Sequence, residues 1–208
     1  MSTTTSTTTS TIISTTISTT TFTSISSKSF YSSGPSAETI STQTLASRLT
    51  ICEDWNISVD LKLPSQFAPT CTWSTCEWPN IFSLQVNGTI DGEMGSRIPA
   101  VWIIPYKQDL IWIGISTQIG DEYGKWSQTP EIKTSQWVNL KISQRKDQAT
   151  NEWIFEVKLD NKHVYSISNS NPQNWSNVNV IMGNMYEKNE SESAKGEYRS
   201  FELSSCKL

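Results

Sequence analysis

Apolar and polar side chains alternate with a period of two through residues 137–168. The apolar positions of the first two segments in this stretch are Val138, Leu140, Ile142, Trp153, Phe155, Val157 and Leu159. Because successive side chains of a strand point to opposite faces, the pattern predicts half-buried antiparallel strands. Asp160 and Asn161 follow the second segment, and both residue types tolerate the positive φ of a tight turn. The stretch is therefore predicted to be a β-meander with one buried face and one solvated face.

Strand-like segments recur along the chain on both sides of this meander. Residues 55–63 place five apolar side chains on one face, whereas residues 99–104 and 110–116 are near-continuous apolar runs, which is typical of central strands. Further strands are predicted at residues 81–86, 119–126, 178–182 and 196–203. Roughly ten short strands without a convincing helix predict an all-β fold, an antiparallel sandwich of two sheets.

Residues 1–33 form a low-complexity segment in which 24 residues are Ser or Thr and Lys28 carries the only charge. One interpretation is a disordered or O-glycosylated stalk, because this composition buries too little apolar surface to fold alone. The other is a β-strand donated to a neighbouring subunit, since the segment is β-branched and free of proline. Its apolar positions, the candidate assembly residues, are Ile12, Ile13, Ile17, Phe22, Ile25, Phe30 and Tyr31.

The composition divides the chain into three parts. Residues 34–50 begin with Gly-Pro and are predicted to be a linker or an early strand, and residues 51–208 are predicted to be the sandwich domain. The net charge of −4 and the absence of a Lys/Arg cluster argue against nucleic acid as a partner. No run of 18 apolar residues is present in the sequence, so no membrane span is predicted.

Four cysteines and four Asn-x-Ser/Thr triplets favour a secreted, extracellular glycoprotein. The candidate N-glycosylation sites are Asn56, Asn87, Asn174 and Asn189. The N-terminus lacks the basic and apolar regions of a signal peptide. We therefore expect that Met1 is not the native start or that a leader has been removed.

The order of several short motifs resembles the laminin-G/concanavalin A-like jelly-roll domains of secreted and cell-surface proteins. The motifs, spread over roughly residues 52–206, are Trp55-x-Ile-x-Val-x-Leu, Arg97-Ile-Pro-Ala-Val-Trp, Gln136-Trp-Val-x-Leu-x-Ile, Trp153-x-Phe-x-Val-x-Leu-Asp and Gly196-x-x-Arg-Ser-Phe-x-Leu. The resemblance implies two curved antiparallel sheets and, in many members, binding of carbohydrate or protein. Fold-level analogy does not by itself establish a function.

The resemblance also implies a disulfide framework, because the first and last strands of such domains lie side by side. Cys52 precedes the first strand of the domain and Cys206 follows the last, so the implied pairs are Cys52–Cys206 and Cys71–Cys76. Four free thiols or a zinc site are the competing interpretations. The spacing lacks CxxC pairs, and His163 is the sole histidine of the sequence.

No catalytic constellation is evident in the sequence, and the protein is expected not to be an enzyme. Glycosidases of this fold carry a Glu-x-Asp-x-Glu pattern on one strand, and no strand here offers it. No metal ligand or cofactor is assigned. The loop acids Asp91, Glu93, Asp121 and Glu122 are of the type that binds Ca²⁺, but they are also ordinary solvated turn residues.

Two functions remain open from the sequence. The first is a structural subunit whose N-terminal Ser/Thr-rich strand docks on the next copy of the same chain, since such a head-to-tail contact does not close and builds a filament or matrix. The alternative is a carbohydrate-binding or adhesion module on a glycosylated stalk. For that alternative, Trp73, Trp78, Trp126 and Trp175 are the aromatic residues available to stack on sugar rings.

Overall fold

A computed structural model describes residues 28–41, 43–64, 79–89, 92–107, 109–183 and 196–205. These residues form two antiparallel sheets, and no helix occurs among them. The strands of the first sheet, sheet A, are β1 (Lys28–Ser32), β2 (Glu38–Thr39), β4 (Trp55–Lys62), β10 (Trp137–Lys146), β11 (Trp153–Leu159), β12 (Lys162–Ser168) and β14 (Glu197–Ser205). Those of the second, sheet B, are β3 (Gln43–Ile51), β5 (Asn80–Val86), β6 (Ala100–Lys107), β7 (Leu110–Ile119), β8 (Glu122–Gln128), β9 (Ile132–Lys133) and β13 (Trp175–Met182).

The order of hydrogen-bonded strands is β1-β14-β4-β10-β11-β12 in sheet A, with β2 also paired to β14. In sheet B it is β3-β13-β5-β6-β7-β8, with β9 paired to β7. The last strand of the domain thus lies beside β4, as the resemblance implied. This is a jelly-roll sandwich of the concanavalin A-like kind, which confirms the predicted fold class.

The core lies between the sheets and follows the alternation of the sequence. On β4, Trp55, Ile57, Val59 and Leu61 are buried while the residues between them are half-exposed, so the predicted apolar face is the inner one. In the meander, Leu140 and Val157 are fully buried, and the turn between β11 and β12 has positive φ at Asp160 and Asn161. The β-meander predicted from the pattern is therefore confirmed.

The end of the Ser/Thr-rich segment is part of the sandwich. Strand β1 pairs with β14 of the same chain, and the ring of Tyr31 lies 5.8 Å from that of Phe201 in an edge-on arrangement. The candidate assembly residues from Ile12 to Ile25 lie outside the described residues, and only the backbone of Phe30 is described, within β1. Docking of this segment on another subunit stays a prediction.

Residues 34–50, expected to be a linker or an early strand, contain β2 and most of β3. β3 pairs with β13 and forms an edge of sheet B, and Ile40, just before it, is buried in the core. Ile40 N donates to Gly196 O at 2.8 Å, and this hydrogen bond holds the chain where it crosses from β2 in sheet A to β3 in sheet B. This range therefore contributes strands and core contacts to the sandwich.

Candidate functional site

The outer face of sheet B carries a group of aromatic rings. Val101 and Ile103 of β6 are in the core, so Trp102 between them points away from sheet A. Directly paired residues of adjacent strands share a face, and Ser116 pairs with both Ala100 and Trp126. Trp126 therefore points outward as Trp102 does. We call this surface the Trp–Arg face; it comprises Arg97, Trp102, Trp112, Tyr123 and Trp126.

Trp102 and Trp126 form the centre of the Trp–Arg face. Their ring centroids are 5.7 Å apart and the planes are inclined by 36°. Gly114 pairs with Trp102 across β6 and β7, and the Trp126 ring lies directly over it, so that a Cβ at position 114 would overlap the ring. A glycine in the middle strand thus lets the ring of Trp126 lean across β7 towards Trp102. Trp102 is buried and Trp126 half-buried, so part of this aromatic surface is accessible.

Arg97 supplies the positive charge of the Trp–Arg face. Its Cζ lies 5.0 Å from the ring centroid of Trp102 and 5.5 Å from that of Tyr123, within the range of cation–π contacts. Its Nη1 donates to Ser116 Oγ at 3.2 Å, and its carbonyl oxygen accepts from Gln118 N at 3.1 Å. The guanidinium group is always protonated and is held between two rings, which makes it a fixed donor for a polar ligand atom.

Asn80 adds an amide to the same face. It pairs with Trp102 across β5 and β6, and its side chain is fully buried. Within the described part of the chain, neither its amide nitrogen nor its oxygen has a hydrogen-bond partner. A buried polar group without partners costs free energy, roughly 1–3 kcal/mol. Because both atoms are buried, this amide is not accessible to a ligand on the surface.

The arrangement suits a ligand with an apolar face and a polar rim. Indole rings bury large apolar surfaces and stack well on flat partners, and the Arg97 guanidinium provides directed hydrogen bonds. A pyranose ring has this character, since C–H groups line one face and hydroxyl groups surround the edge. Ser116, fully buried beneath Arg97, supports the face without occupying it.

Of the four tryptophans singled out from the sequence, the structure brings Trp126 into this site. Trp175 is half-buried and packs against the core, and Trp73 and Trp78 lie outside the described residues. The sequence did carry a signal for Trp102 and Trp112, which lie in β6 and β7. Both strands are apolar on both faces, so each also has apolar side chains on its outward face. The residues that sequence reasoning missed are Arg97, Trp102, Trp112 and Tyr123.

The candidate glycosylation sites lie in different surroundings. Asn87 is exposed in a turn, and Asn174 is exposed just before β13, where its Oδ1 accepts from Glu53 N at 3.2 Å. Asn56 is half-exposed in the middle of sheet A, on β4, and Asn189 lies outside the described residues. Their modification stays a prediction.

Cys52 is disulfide-bonded, and the other three cysteines lie outside the described residues. Its backbone N–H donates to Ser205 Oγ at 2.8 Å, so the chain around Cys52 contacts the end of β14. Cys206 follows Ser205 in the sequence. The pairs Cys52–Cys206 and Cys71–Cys76 stay predictions.

The loop acids considered for Ca²⁺ are engaged with protein groups where they are described. Asp121 Oδ1 accepts from Asn171 Nδ2 at 3.2 Å, and Glu122 forms an ion pair with Lys125. Asp91 lies outside the described residues. Across the described ranges, no group of three or more His, Cys, Asp or Glu side chains is placed to hold a metal ion. Nor do these ranges include a helix long and apolar enough to cross a membrane.

The chain resembles solved structures in fold. It matches alginate lyase Aly36B with a TM-score of 0.50 at 10% identity, covering 83% of this chain and 81% of that one. It also matches the carbohydrate recognition domain of Emp47p (TM-score 0.49, 8% identity, 86% of each chain). A third match is the CBM40 domain of the Ruminococcus gnavus IT-sialidase, bound to α2,3-sialyllactose (TM-score 0.46, 9% identity, 84% of this chain and 94% of that one).

No family model matches the sequence, and no curated protein matches it. At identities near 10% the structural matches show a shared fold alone.

The expectation that the protein is not an enzyme is corrected by this comparison. Alginate lyase Aly36B is an enzyme with the same fold. The expectation rested on the missing Glu-x-Asp-x-Glu pattern, which is a requirement of glycoside hydrolysis. A lyase cleaves by elimination, so the absence of a hydrolytic carboxylate pair does not exclude catalysis on this sandwich.

Proposed function

We propose that this protein is a carbohydrate-binding domain and that the Trp–Arg face is where it holds a glycan. The observation that carries the proposal is the Trp102–Trp126 pair, whose ring centroids are 5.7 Å apart. The Arg97 guanidinium lies beside this pair, with its Cζ 5.0 Å from the Trp102 ring centroid. The accessible surface of this inclined ring pair would hold the C–H face of a sugar, and Arg97 would donate to its hydroxyl or carboxylate oxygens.

The fold is compatible with this function. Aly36B is named as a lyase of alginate, which is a polysaccharide, so a sandwich of this kind is used by a protein that acts on carbohydrate. The proposal for this chain rests on its own contacts. Secretion agrees with a glycan-binding role and stays a prediction.

A glycan array with the full chain tests the proposal, using Trp126→Ala as the site variant. The matched control is Trp137→Ala, because Trp137 is a half-buried tryptophan on the outer face of sheet A, its ring centroid 4.2 Å from Arg199 Cζ. We expect a glycan to bind the unaltered protein and Trp137→Ala, and to lose at least about tenfold in affinity for Trp126→Ala. Circular dichroism checks that both variants fold.

Two results would contradict the proposal. One is the absence of binding to any glycan by the unaltered protein. The other is equal binding by Trp126→Ala and Trp137→Ala, which would place the glycan elsewhere. The bound glycan should also be incubated with the protein and examined for shorter products by mass spectrometry, since the fold includes an enzyme that acts on polysaccharide.

Assembly through the N-terminal strand is a separate proposal with less support. Strand β1 has the pairing expected of a docked Ser/Thr-rich strand, but its partner is β14 of its own chain. Exchange of β1 between copies would preserve the same hydrogen bonds and link subunits. Electron microscopy of the full chain at high concentration tests it, and a uniformly monomeric protein would contradict it.

A further inference from the structure

A cavity of about 360 Å³ opens on the outer face of sheet A, on the opposite side of the sandwich from the Trp–Arg face. Ser204, Asn56, Ser143 and Glu156 lie in register across its floor, one from each of four adjacent strands. The two serines on either side of Asn56 are small, while neighbouring rows carry long lysine and arginine side chains. This difference in side-chain length leaves the space, whose volume is in the range of roughly 300–1,000 Å³ found for small-molecule sites.

The lining of this cavity carries more positive than negative charge. Its cations are Lys141, Arg145 and Lys158, and its acids are Asp54 and Glu156. The protein as a whole has a net charge of −4, so a cavity with an excess of cations is a local exception.

Two of the cations share one carboxylate. Lys158 Nζ lies 2.9 Å and Arg145 Nη2 3.8 Å from the same oxygen of Glu156. Lys141 Nζ donates to Asn161 Oδ1 at 2.8 Å, a neutral partner. The Arg145 and Lys158 side chains are 56% and 36% exposed, so both cations are within reach of a ligand anion. The Glu156 side chain is only 12% exposed, so its carboxylate needs one of them as a partner, and Arg145 can fill that role when Lys158 contacts a ligand.

We propose that this cavity binds the carboxylate of an acidic sugar residue, as a second site separate from the Trp–Arg face. Lys141 and Lys158, from adjacent strands, would contact the carboxylate. The hydroxyl groups of Ser143 and Ser204 and the amide of Asn56 are donors and acceptors for the sugar hydroxyls. Donors from four strands of one sheet would hold the sugar against a rigid floor.

The test is titration of the full chain with sodium glucuronate, and with glucose as the neutral counterpart, followed by NMR. Protein from a bacterial host carries no N-glycan at Asn56. We expect glucuronate to shift amide signals of β4, β10 and β11, and glucose not to shift them. Lys141→Gln and Lys158→Gln should each weaken glucuronate binding by about tenfold or more, because each removes a charge-assisted hydrogen bond.

Two further variants complete the test. Ser143→Phe fills the cavity from an outward-facing position and should abolish the shifts. Lys133→Gln removes the same charge from the exposed end of sheet B and should change nothing. Raising the salt from about 0.05 M to about 0.5 M should weaken glucuronate binding, because the interaction is screened.

Several outcomes would overturn the inference. These are the absence of glucuronate-dependent shifts on these strands, equal shifts with glucose, or equal binding by Lys141→Gln and Lys133→Gln. Trp126→Ala separates the two sites, since it should abolish glycan binding at the Trp–Arg face and leave glucuronate binding in this cavity unchanged.

Discussion

The Trp126 side chain lies directly on the backbone of Gly114, with no room for a side chain between them. A Cβ at position 114 would also lie 2.9 Å from Ile104 Cδ1. The position of the Trp126 ring relative to Trp102 therefore depends on the absence of a side chain on the strand between β6 and β8.

Gly114→Ala is predicted to displace the Trp126 ring and weaken glycan binding as strongly as Trp126→Ala, without removing an aromatic residue. The added methyl group also overpacks the face, at a cost of about 1–3 kcal/mol in the free energy of unfolding. Gly34→Ala is the matched control, since a Cβ there meets nothing within 4 Å. Tryptophan fluorescence and glycan affinity measure the effect, and unchanged affinity would show that the ring pair is not needed.

Asn169→Ala is predicted to destabilise the fold by about 2–4 kcal/mol, because Asn169 joins the sheets. Its Nδ2 donates to Gln144 Oε1 of sheet A at 2.6 Å, and its Oδ1 accepts from Gly120 N at the end of β7 in sheet B at 2.8 Å. The variant removes both of these buried hydrogen bonds.

Denaturant unfolding at neutral pH measures this loss. The control is Asn171→Ala, since Asn171 is exposed and its side chain donates to Asp121 at 3.2 Å; its expected cost is below about 1 kcal/mol. Equal costs for the two variants would contradict the assignment of a bridging role to Asn169.

Tyr198 is predicted to make stability fall in alkaline solution. Burial first, and then the hydrogen bond from its hydroxyl group to Glu38 Oε2 at 2.7 Å, raise the pKa of Tyr198 well above its ordinary value of 10.0. Above pH 10 the unfolded chain releases this proton while the folded protein keeps it. The stability that Tyr198 contributes is therefore full below about pH 10 and decreases above it, by at most about 1.4 kcal/mol per pH unit.

Tyr198→Phe isolates this contribution. The difference in the free energy of unfolding between the unaltered protein and the variant should be constant from about pH 7 to pH 9 and shrink above pH 10. A difference that stays constant up to about pH 11 would show that the folded and unfolded pKa values coincide.

Removal of residues 1–33 is predicted to destabilise the domain more than removal of residues 1–27, which retains β1. The longer deletion eliminates β1, including the Tyr31–Phe201 contact and the hydrogen bond from Phe201 N to Ser33 Oγ at 2.8 Å. Loss of a half-buried tyrosine and its strand should cost about 2 kcal/mol or more.

Thermal unfolding of the two truncated proteins checks the prediction for stability, and electron microscopy checks assembly. The shorter deletion is the informative one for assembly, because it leaves β1 in place. If the protein that lacks residues 1–27 polymerises as the full chain does, those residues are not needed for assembly, and exchange of β1 is the route that stays open.

Much of the fold was predictable because β-strands repeat every two residues. The alternation on β4, β10 and β11 identified the buried face of sheet A correctly, and Asp160-Asn161 identified the turn of the meander. The boundary between β7 and β8 was predicted less accurately. A strand was predicted over residues 119–126, whereas β8 begins at Glu122 in the structure. Ile119 is the last residue of β7, and Gly120 and Asp121 form the turn between the two strands.

The candidate site was not predictable in the same way. Arg97 precedes β6, Trp102 lies within β6, and Tyr123 and Trp126 belong to β8, so their proximity depends on the pairing order of sheet B. β6 and β7 have apolar residues on both faces, and such runs do not reveal which side faces the core. Strand β3 was equally hard to assign, because its partner β13 lies more than a hundred residues away in the sequence.

The sequence by itself determined the all-β class, the strand positions and the buried face of each alternating strand, because these depend on local spacing and on the burial of apolar side chains. Only the tertiary structure decided which outward-facing residues meet. The pairing of β6, β7 and β8 places Trp126 over Gly114 beside Trp102, and the pairing of β14, β4, β10 and β11 places two serines around Asn56. Strand order results from long-range contacts between strands, and local periodicity carries no information about it.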